Sequence, residues 1–184
     1  MTEAIAVLGF EEFCELEQRG DSRHELVGGR VYVMAGGSER HDLAAGLLYE
    51  LLAPAARGAG CRPFTANRLV RTASGAGYYP DVLIVCGPAA HLLYETRPAV
   101  VIEVLSPSTV GIDRREKPLA YATAGTLTHY VLVDPDQRRI EVATPTLAGL
   151  DWRAYGPDEA VPLPWATLDV TAFYDILDAT ATTR

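Results

Sequence analysis

The sequence has few cysteines, a deficit of basic side chains and no long apolar run, and each shortage removes a class of protein. Cys14, Cys61 and Cys86 are scattered and form no CxxC pair, which argues against a disulfide framework and against a structural zinc site; the three thiols are expected to be reduced packing residues. No stretch reaches the roughly 20 apolar residues that span a bilayer. Glu3 stands where a secretion leader would carry Lys or Arg, so export is not expected and the cytoplasm is. With 16 basic against 24 acidic residues the net charge is −8, which excludes a tight, indiscriminate nucleic-acid binder, because nonspecific affinity comes from Lys and Arg displacing counter-ions at phosphates. A cation-dependent enzyme is compatible with the same balance, since acids collect the ion and only a local surface needs to be basic. Walker, GxSxG, HExxH and GxGxxG motifs are also missing.

What is present reads as a globular chain. The 184 residues are 48% hydrophobic and 22% charged, enough to bury a core without staples, so one domain over 1–184 is expected, with its core at about 10–177. Phe10 to Arg19 sets Phe10, Phe13, Cys14 and Leu16 among acids, the pattern of a short amphipathic helix ending at Gly20. His24 to Val27 and Arg30 to Ala35 flank Gly28-Gly29, a hairpin composition. Ser38 suits the cap of a helix running to about Arg57, with Leu43, Leu47, Leu48, Leu51 and Leu52 as its apolar face and Gly58 beyond its end. Arg62 to Arg71 reads as one strand and Ser74 to Gly77 as a loop. Asp81 to Cys86 and Ala99 to Leu105 are Val, Ile and Leu runs suited to strands buried on both faces, the centre of a sheet. A helix is expected between Asp113 and Ala124, beginning close to Glu116 because Pro118 cannot sit deep inside it. His129 to Val133 and Arg139 to Ala143 form a second hairpin around Asp134-Pro135-Asp136, Trp152 to Tyr155 an edge strand, and Asp169 to Leu177 a closing helix before a fraying Thr-rich end. The fold class is α/β (α+β).

Glu103 is the most informative residue. Val101 and Leu105 lie two positions either side and share its face of the strand, so a carboxylate is set inside an apolar sheet. Uncompensated, its desolvation costs several kcal/mol; it has to hold a cation, pair with a base or be protonated. Asp81 opens the preceding strand directly after Pro80, and the connection from Gly87 to Pro98 is short enough to make the two strands antiparallel neighbours. Two hard oxygen donors at one sheet position suit Mg²⁺, which takes one or two protein carboxylates and completes its shell with water and phosphate oxygens.

Pro80-Asp81, Glu103-Val104-Leu105-Ser106-Pro107-Ser108-Thr109, then Asp113, Lys117 and Tyr121 spaced by four, then Gly125, with Glu25 and His41 upstream, resemble the Uma-two (Uma2) family within the PD-(D/E)xK nuclease superfamily. The resemblance implies a restriction endonuclease-like core with a central mixed β-sheet flanked by helices. The superfamily places its lysine two positions after the acid, where this chain has Leu105; the family implies a migrated lysine, Lys117, reaching the same site. Asp81 and Glu103 would then bind Mg²⁺ or Mn²⁺, Lys117 would orient a metal-bound water or offset transition-state charge, Glu25 would add a metal or supporting contact, and Ser106 and Tyr121 would steady ligands. His41 fits the family pattern at the start of the long helix. His129-Tyr130-Val131 departs from it, where Glu-Tyr-Trp is usual.

Blander readings stay open: Asp81 as a turn residue, Glu103 in a buried salt bridge with Lys117, Lys117 solvated beside Arg114, Arg115 and Glu116, Glu25 on a hairpin surface, His41 in a first helical turn, Ser106 ending a strand, and Tyr121 packing its ring. Arg68, Arg71, Arg114 and Arg115 are candidates to touch a polyanion. The function implied is a metal-dependent endonuclease hydrolysing DNA phosphodiester bonds to 5′-phosphate ends, as a homodimer because duplex cleavage takes two cuts. A non-catalytic interaction or scaffold protein retaining the fold, and hydrolysis of RNA or a small phosphodiester, are the alternatives.

Overall fold

A computed structural model describes residues 7–34 and 36–181. In chain order the elements are α1 (Phe10–Arg19), β1 (His24–Val27), β2 (Arg30–Val33), α2 (Glu39–Gly58), β3 (Cys61–Thr65), β4 (Leu69–Arg71), β5 (Gly77–Tyr78), β6 (Val82–Cys86), β7 (Tyr94–Glu95), β8 (Pro98–Val104), α3 (Val110–Ala122), β9 (His129–Asp134), β10 (Arg139–Thr146), β11 (Gly149–Tyr155), β12 (Ala160–Pro162), β13 (Thr167–Asp169) and α4 (Val170–Thr180). Gly28 and Gly29 turn β1 into β2 with φ of 55° and 78°, the paired left-handed conformation that a two-residue hairpin needs. Ser38 caps α2 by accepting the His41 backbone N–H at 3.2 Å.

Six strands form the main sheet in the order β11-β10-β9-β8-β6-β3. β6 and β8 are antiparallel neighbours, as expected, while β8 and β9 run parallel with α3 as their crossover. A five-stranded sheet, β2-β1-β5-β4-β7, and the β12-β13 pair complete the architecture. Alternation along β8 sends Val100, Ile102 and Val104 to one core, shared with Leu48 and Leu52 of α2 and Phe173 of α4. It sends Val101 and Leu105 to the opposite core, with Tyr121 of α3, Tyr78 of β5 and Leu132 of β9. Glu103 falls on this second side, between the main sheet and α3. The result is a mixed α+β fold in which a mixed central sheet is flanked by helices.

Several expectations are corrected. The stretch from Arg62 to Arg71 is two strands in different sheets, because the chain reverses where the Asn67 N–H donates to the Thr65 carbonyl at 2.6 Å. The inner face of α2 is Ala44, Leu48, Leu52 and Ala56 while Leu51 is exposed; the small residues let the helix lie close to the sheet. Gly58 ends α2 instead of following it. α3 begins at Val110, six residues before Glu116, and runs through Pro118. Burial of Asp113, Lys117 and Tyr121 on its inner side holds the helix across the missing backbone donor, tertiary packing outweighing local propensity. Cys61 and Cys86 form a disulfide, facing each other in the β3–β6 register, and Cys14 is the free cysteine. β2 ends at Val33, and Ala35 lies outside the described residues, as do residues 182–184 of the Thr-rich end; α4 itself continues to Thr180. Among the described residues no helix is long and apolar enough to cross a membrane.

Candidate active site

Three elements aim side chains at one place. β8 supplies Glu103, β1 supplies Glu25, and α3 supplies Asp113 and Lys117 from consecutive turns, the i,i+4 spacing that puts both on one helix face. The Lys117 Nζ stands 2.9 Å from Glu25 Oε1, 3.0 Å from Asp113 Oδ1 and 3.2 Å from Glu103 Oε1. All four side chains are buried. Apart from the Lys117 ammonium, those same three oxygens have no hydrogen-bond partner among the described residues. The Tyr78 ring lies 5.6 Å from Nζ.

Three carboxylates around one ammonium leave surplus negative charge in a buried site. Burial pushes the Glu103 carboxyl well above its usual range; Lys117 opposes this, and Asp113, Asp81 and Glu25 add to it. Glu25 is raised too, by burial against the pull of Lys117. Burial alone would lower Lys117, but attraction to Glu103, Glu25 and Asp113 wins and raises it. A site that favours protons on Glu103, Glu25 and Lys117 alike is short of positive charge.

Asp81 approaches from the entrance of β6. Its Oδ2 accepts the Val104 backbone N–H at 2.7 Å, which docks it beside Glu103, and lies 3.3 Å from His41 Nε2. The hydrogen bond to Asp81 outweighs burial and lifts the His41 imidazole to about 9. Ser106 shares hydroxyl contacts with Ser108 and Thr109 while its carbonyl accepts the Val110 N–H, so it organises the turn into α3. Glu25, His41, Asp81, Glu103, Ser106, Asp113 and Lys117 border one cavity of about 200 Å³. Tyr121 packs behind it, fully buried, its hydroxyl without a hydrogen-bond partner among the described residues.

The acids, Lys117, Glu25, His41 and Ser106 therefore come together, whereas the four arginines do not. Arg68 donates to Glu95 and to the carbonyls of His91, Leu92 and Tyr94, so its guanidinium fastens a loop. Arg71 pairs with Glu11 at 2.8 Å and covers the Phe10 ring. Arg114 binds Glu141, and Arg115 is exposed; none of the four borders the cavity. Asp113 was not among the expected site residues. Its signal is the four-residue spacing to Lys117 and Tyr121, together with the fact that Lys117 is the only lysine in a chain whose other basic residues are arginines.

Hard carboxylate oxygens, several without other partners, are the donor chemistry of a Mg²⁺ or Mn²⁺ site. Their spacing is another matter: among the described residues no group of three or more His, Cys, Asp or Glu is set to hold a metal ion, and the point on which three of the oxygens converge is taken by Nζ.

Comparison with known proteins bears on the family and the fold. The chain is 32% identical over 135 residues to the uncharacterized protein slr1290 of Synechocystis sp. (strain ATCC 27184 / PCC 6803 / Kazusa), covering 72% of this chain and 71% of that one. It is 27% identical over 140 residues to the uncharacterized protein sll1609 of the same organism, covering 73% and 79%. The crystal structure of a "putative nuclease belonging to DUF820" from Anabaena variabilis ATCC 29413 superposes with a TM-score of 0.67 at 17% identity, over 92% of this chain and 99% of the other, a likeness of fold. Residues 10–171 match the family Uma2, described as "Putative restriction endonuclease", and with that match spanning most of its length the chain belongs to the Uma2 family of restriction endonuclease-like proteins.

Proposed function

We propose that the protein is a metal-dependent phosphodiesterase that cuts DNA, with Asp81, Glu103 and Lys117 as its catalytic residues. The observation that carries this reading is the ammonium of Lys117 clustered with buried carboxylates on the wall of an open cavity. Asp81 and Glu103 would hold the ion, the first through the oxygen not engaged by Val104 and His41. A divalent ion bound there supplies an acidified water and offsets phosphate charge. Lys117 is the group that orients the water or meets charge developing on the phosphoryl oxygens. The Val104 backbone N–H and the His41 side chain fix the Asp81 carboxylate, and the Ser106 turn fixes the start of α3. DNA as partner, a homodimer for two-strand cleavage and 5′-phosphate products belong to this reading. Its test is plasmid cleavage by the purified protein with Mg²⁺ or Mn²⁺: wild type nicks and Glu103→Gln does not, and absence of metal-dependent turnover in wild type defeats it.

A second reading, a non-catalytic interaction protein that keeps the fold, is favoured by the net charge of −8 and by arginines engaged with internal acids. RNA or a small phosphodiester is the remaining substrate choice. A panel of duplex DNA, RNA and a nitrophenyl phosphodiester separates all three, since the interaction protein turns over none of them.

A further inference from the structure

We propose that β11 is a dimer interface, at which the Trp152 strands of two copies of the chain pair antiparallel about a two-fold axis and join their main sheets into one. This gives the homodimer of the reading above a surface, and it stands or falls without reference to cleavage. β11 closes one end of the main sheet, and no strand among the described residues pairs with its outer side. It keeps an unbroken register with β10 from Gly149 to Tyr155. The Leu105 N–H donates to the Val133 carbonyl, and since backbone groups point alternately to either side along a strand, that bond fixes their direction across the sheet. Leu132 faces Glu141, Val142 faces Arg153, and the N–H and C=O of Leu150, Trp152 and Ala154 point outward. An edge of this length with no bulge, Pro or Lys is a template for another strand. The opposite end of the sheet is blunted, because the same alternation turns Pro63 of β3 outward, where it offers no N–H. One open end gives a closed pair and not a filament.

The residues on this edge match a second copy of themselves. With the axis at Trp152, Leu150 lies opposite Ala154, and Asp151 lies opposite Arg153 on both sides of the axis. Opposite charges directly across a strand pair are favourable and like charges are not. Moving the axis by one residue sets Asp151 against Asp151 or Arg153 against Arg153, so the charges select one register. Both side chains are available: Asp151 is exposed and has no ion pair among the described residues, while Arg153 keeps 66% of its side-chain exposure and reaches Glu159 only at 3.5 Å. Trp152 stands on the other face of the sheet, edge-on against Tyr130 at 6.3 Å yet 40% exposed. Across the axis two such indoles cover each other and take apolar surface out of water.

The test is sedimentation equilibrium of the full chain over a wide range of concentration. Wild type is expected to run as a dimer that dissociates on dilution. Asp151→Arg and Arg153→Asp each set like charges opposite one another at both pairs, and each is expected to weaken the dimer about tenfold or more. Mixed, the two variants present opposite charges to each other and are expected to pair about as tightly as wild type does with itself. Ala154→Pro removes an outward N–H that β10 does not use and is expected to weaken the dimer as well; it decides the matter if a charge variant does not fold. A wild type that stays monomeric overturns self-association and leaves the edge to an extended segment of another protein. A dimer that the variants leave unchanged, or charge variants that do not recover on mixing, overturns the paired register. None of these outcomes bears on metal-dependent turnover, which plasmid nicking reads separately.

Discussion

Glu95 and Glu103 are both buried glutamates, and the protein treats them in opposite ways. Glu95 receives the Arg62 guanidinium at 2.9 and 3.2 Å and Arg68 at 2.7 and 3.1 Å. Burial would raise its carboxyl, but the hydrogen bonds and charges of the two arginines prevail and hold it below the usual range. Glu103 shares one ammonium with two further carboxylates, apart from that ammonium its inner oxygen has no hydrogen-bond partner among the described residues, and burial drives its carboxyl up. The first arrangement is electrostatically closed and ties β7 to β3 and β4. The second is left open, with surplus charge beside a cavity. Burial of a carboxylate is thus no mark of function by itself; the balance of its partners is.

The largest test of that contrast is Glu103→Gln. Cleavage is expected to fall by about 10²-fold or more, the scale of losing one electrostatic stabiliser, while the Tm stays at or above that of wild type because one of three crowded like charges is gone. Plasmid nicking and thermal unfolding of the same preparation check both halves. A variant that loses stability and keeps its activity would make Glu103 a second Glu95.

Next in size is the frame around Glu95. Cys61 precedes Arg62 at the start of β3 and is bonded to Cys86 across a sequence separation of 25 residues. Replacing both cysteines by alanine is expected to cost about 3 kcal/mol, the loop-closure scale for such a link, lowering the Tm by roughly 6–12 °C for a chain of this size. Cleavage at 25 °C should be unaffected, because neither cysteine borders the candidate site. Glu95→Gln should cost less, about 2 kcal/mol, against roughly 3–5 for breaking a fully buried pair. The Arg62 side chain keeps 35% of its exposure and Arg68 17%, so water takes over part of what the carboxylate gave them. Activity per folded molecule should match wild type in this variant.

The same contrast explains which parts of the protein were legible in its sequence. Glu103 was visible because Val101 and Leu105 declare its face, and Asp81 because Pro80 and a short connection bring its strand alongside; both inferences need only local periodicity and one pairing. α1, both hairpins and α4 were legible for the same reason. Asp113 was hidden by Arg114, Arg115 and Glu116, which mark a solvated surface, and by Pro118, which reads as a helix start when propensity is weighed without packing. The disulfide depends on the register of β3 against β6, and Cys61 and Cys86 carry no local sign of it. Glu95 gave no signal at all, since its two arginines lie on β3 and just before β4, a stretch that reads as one strand and is in fact two.

The smallest expected effect is also the most specific, and it lies in the acid limb of stability. A carboxyl whose pKa is depressed on folding binds fewer protons in the native state than in the unfolded chain, so it contributes stability that is complete above its unfolded value, near 4.5, and is lost as the pH falls through its lower folded value. Glu95 is such a group, and Glu141, held down by Arg114 and Arg139 against the effect of burial, is another. Tm measured from pH 6 downward should therefore decline more steeply in wild type than in Glu95→Gln, the two curves drawing together below pH 4.5 as wild type gives up what the variant never had. The gap should not close entirely on the Glu95 contribution alone until the carboxyl is protonated in the native state as well. Parallel curves across that window would mean that Arg62 and Arg68 do not hold Glu95 ionised, and the closed half of the comparison would fail.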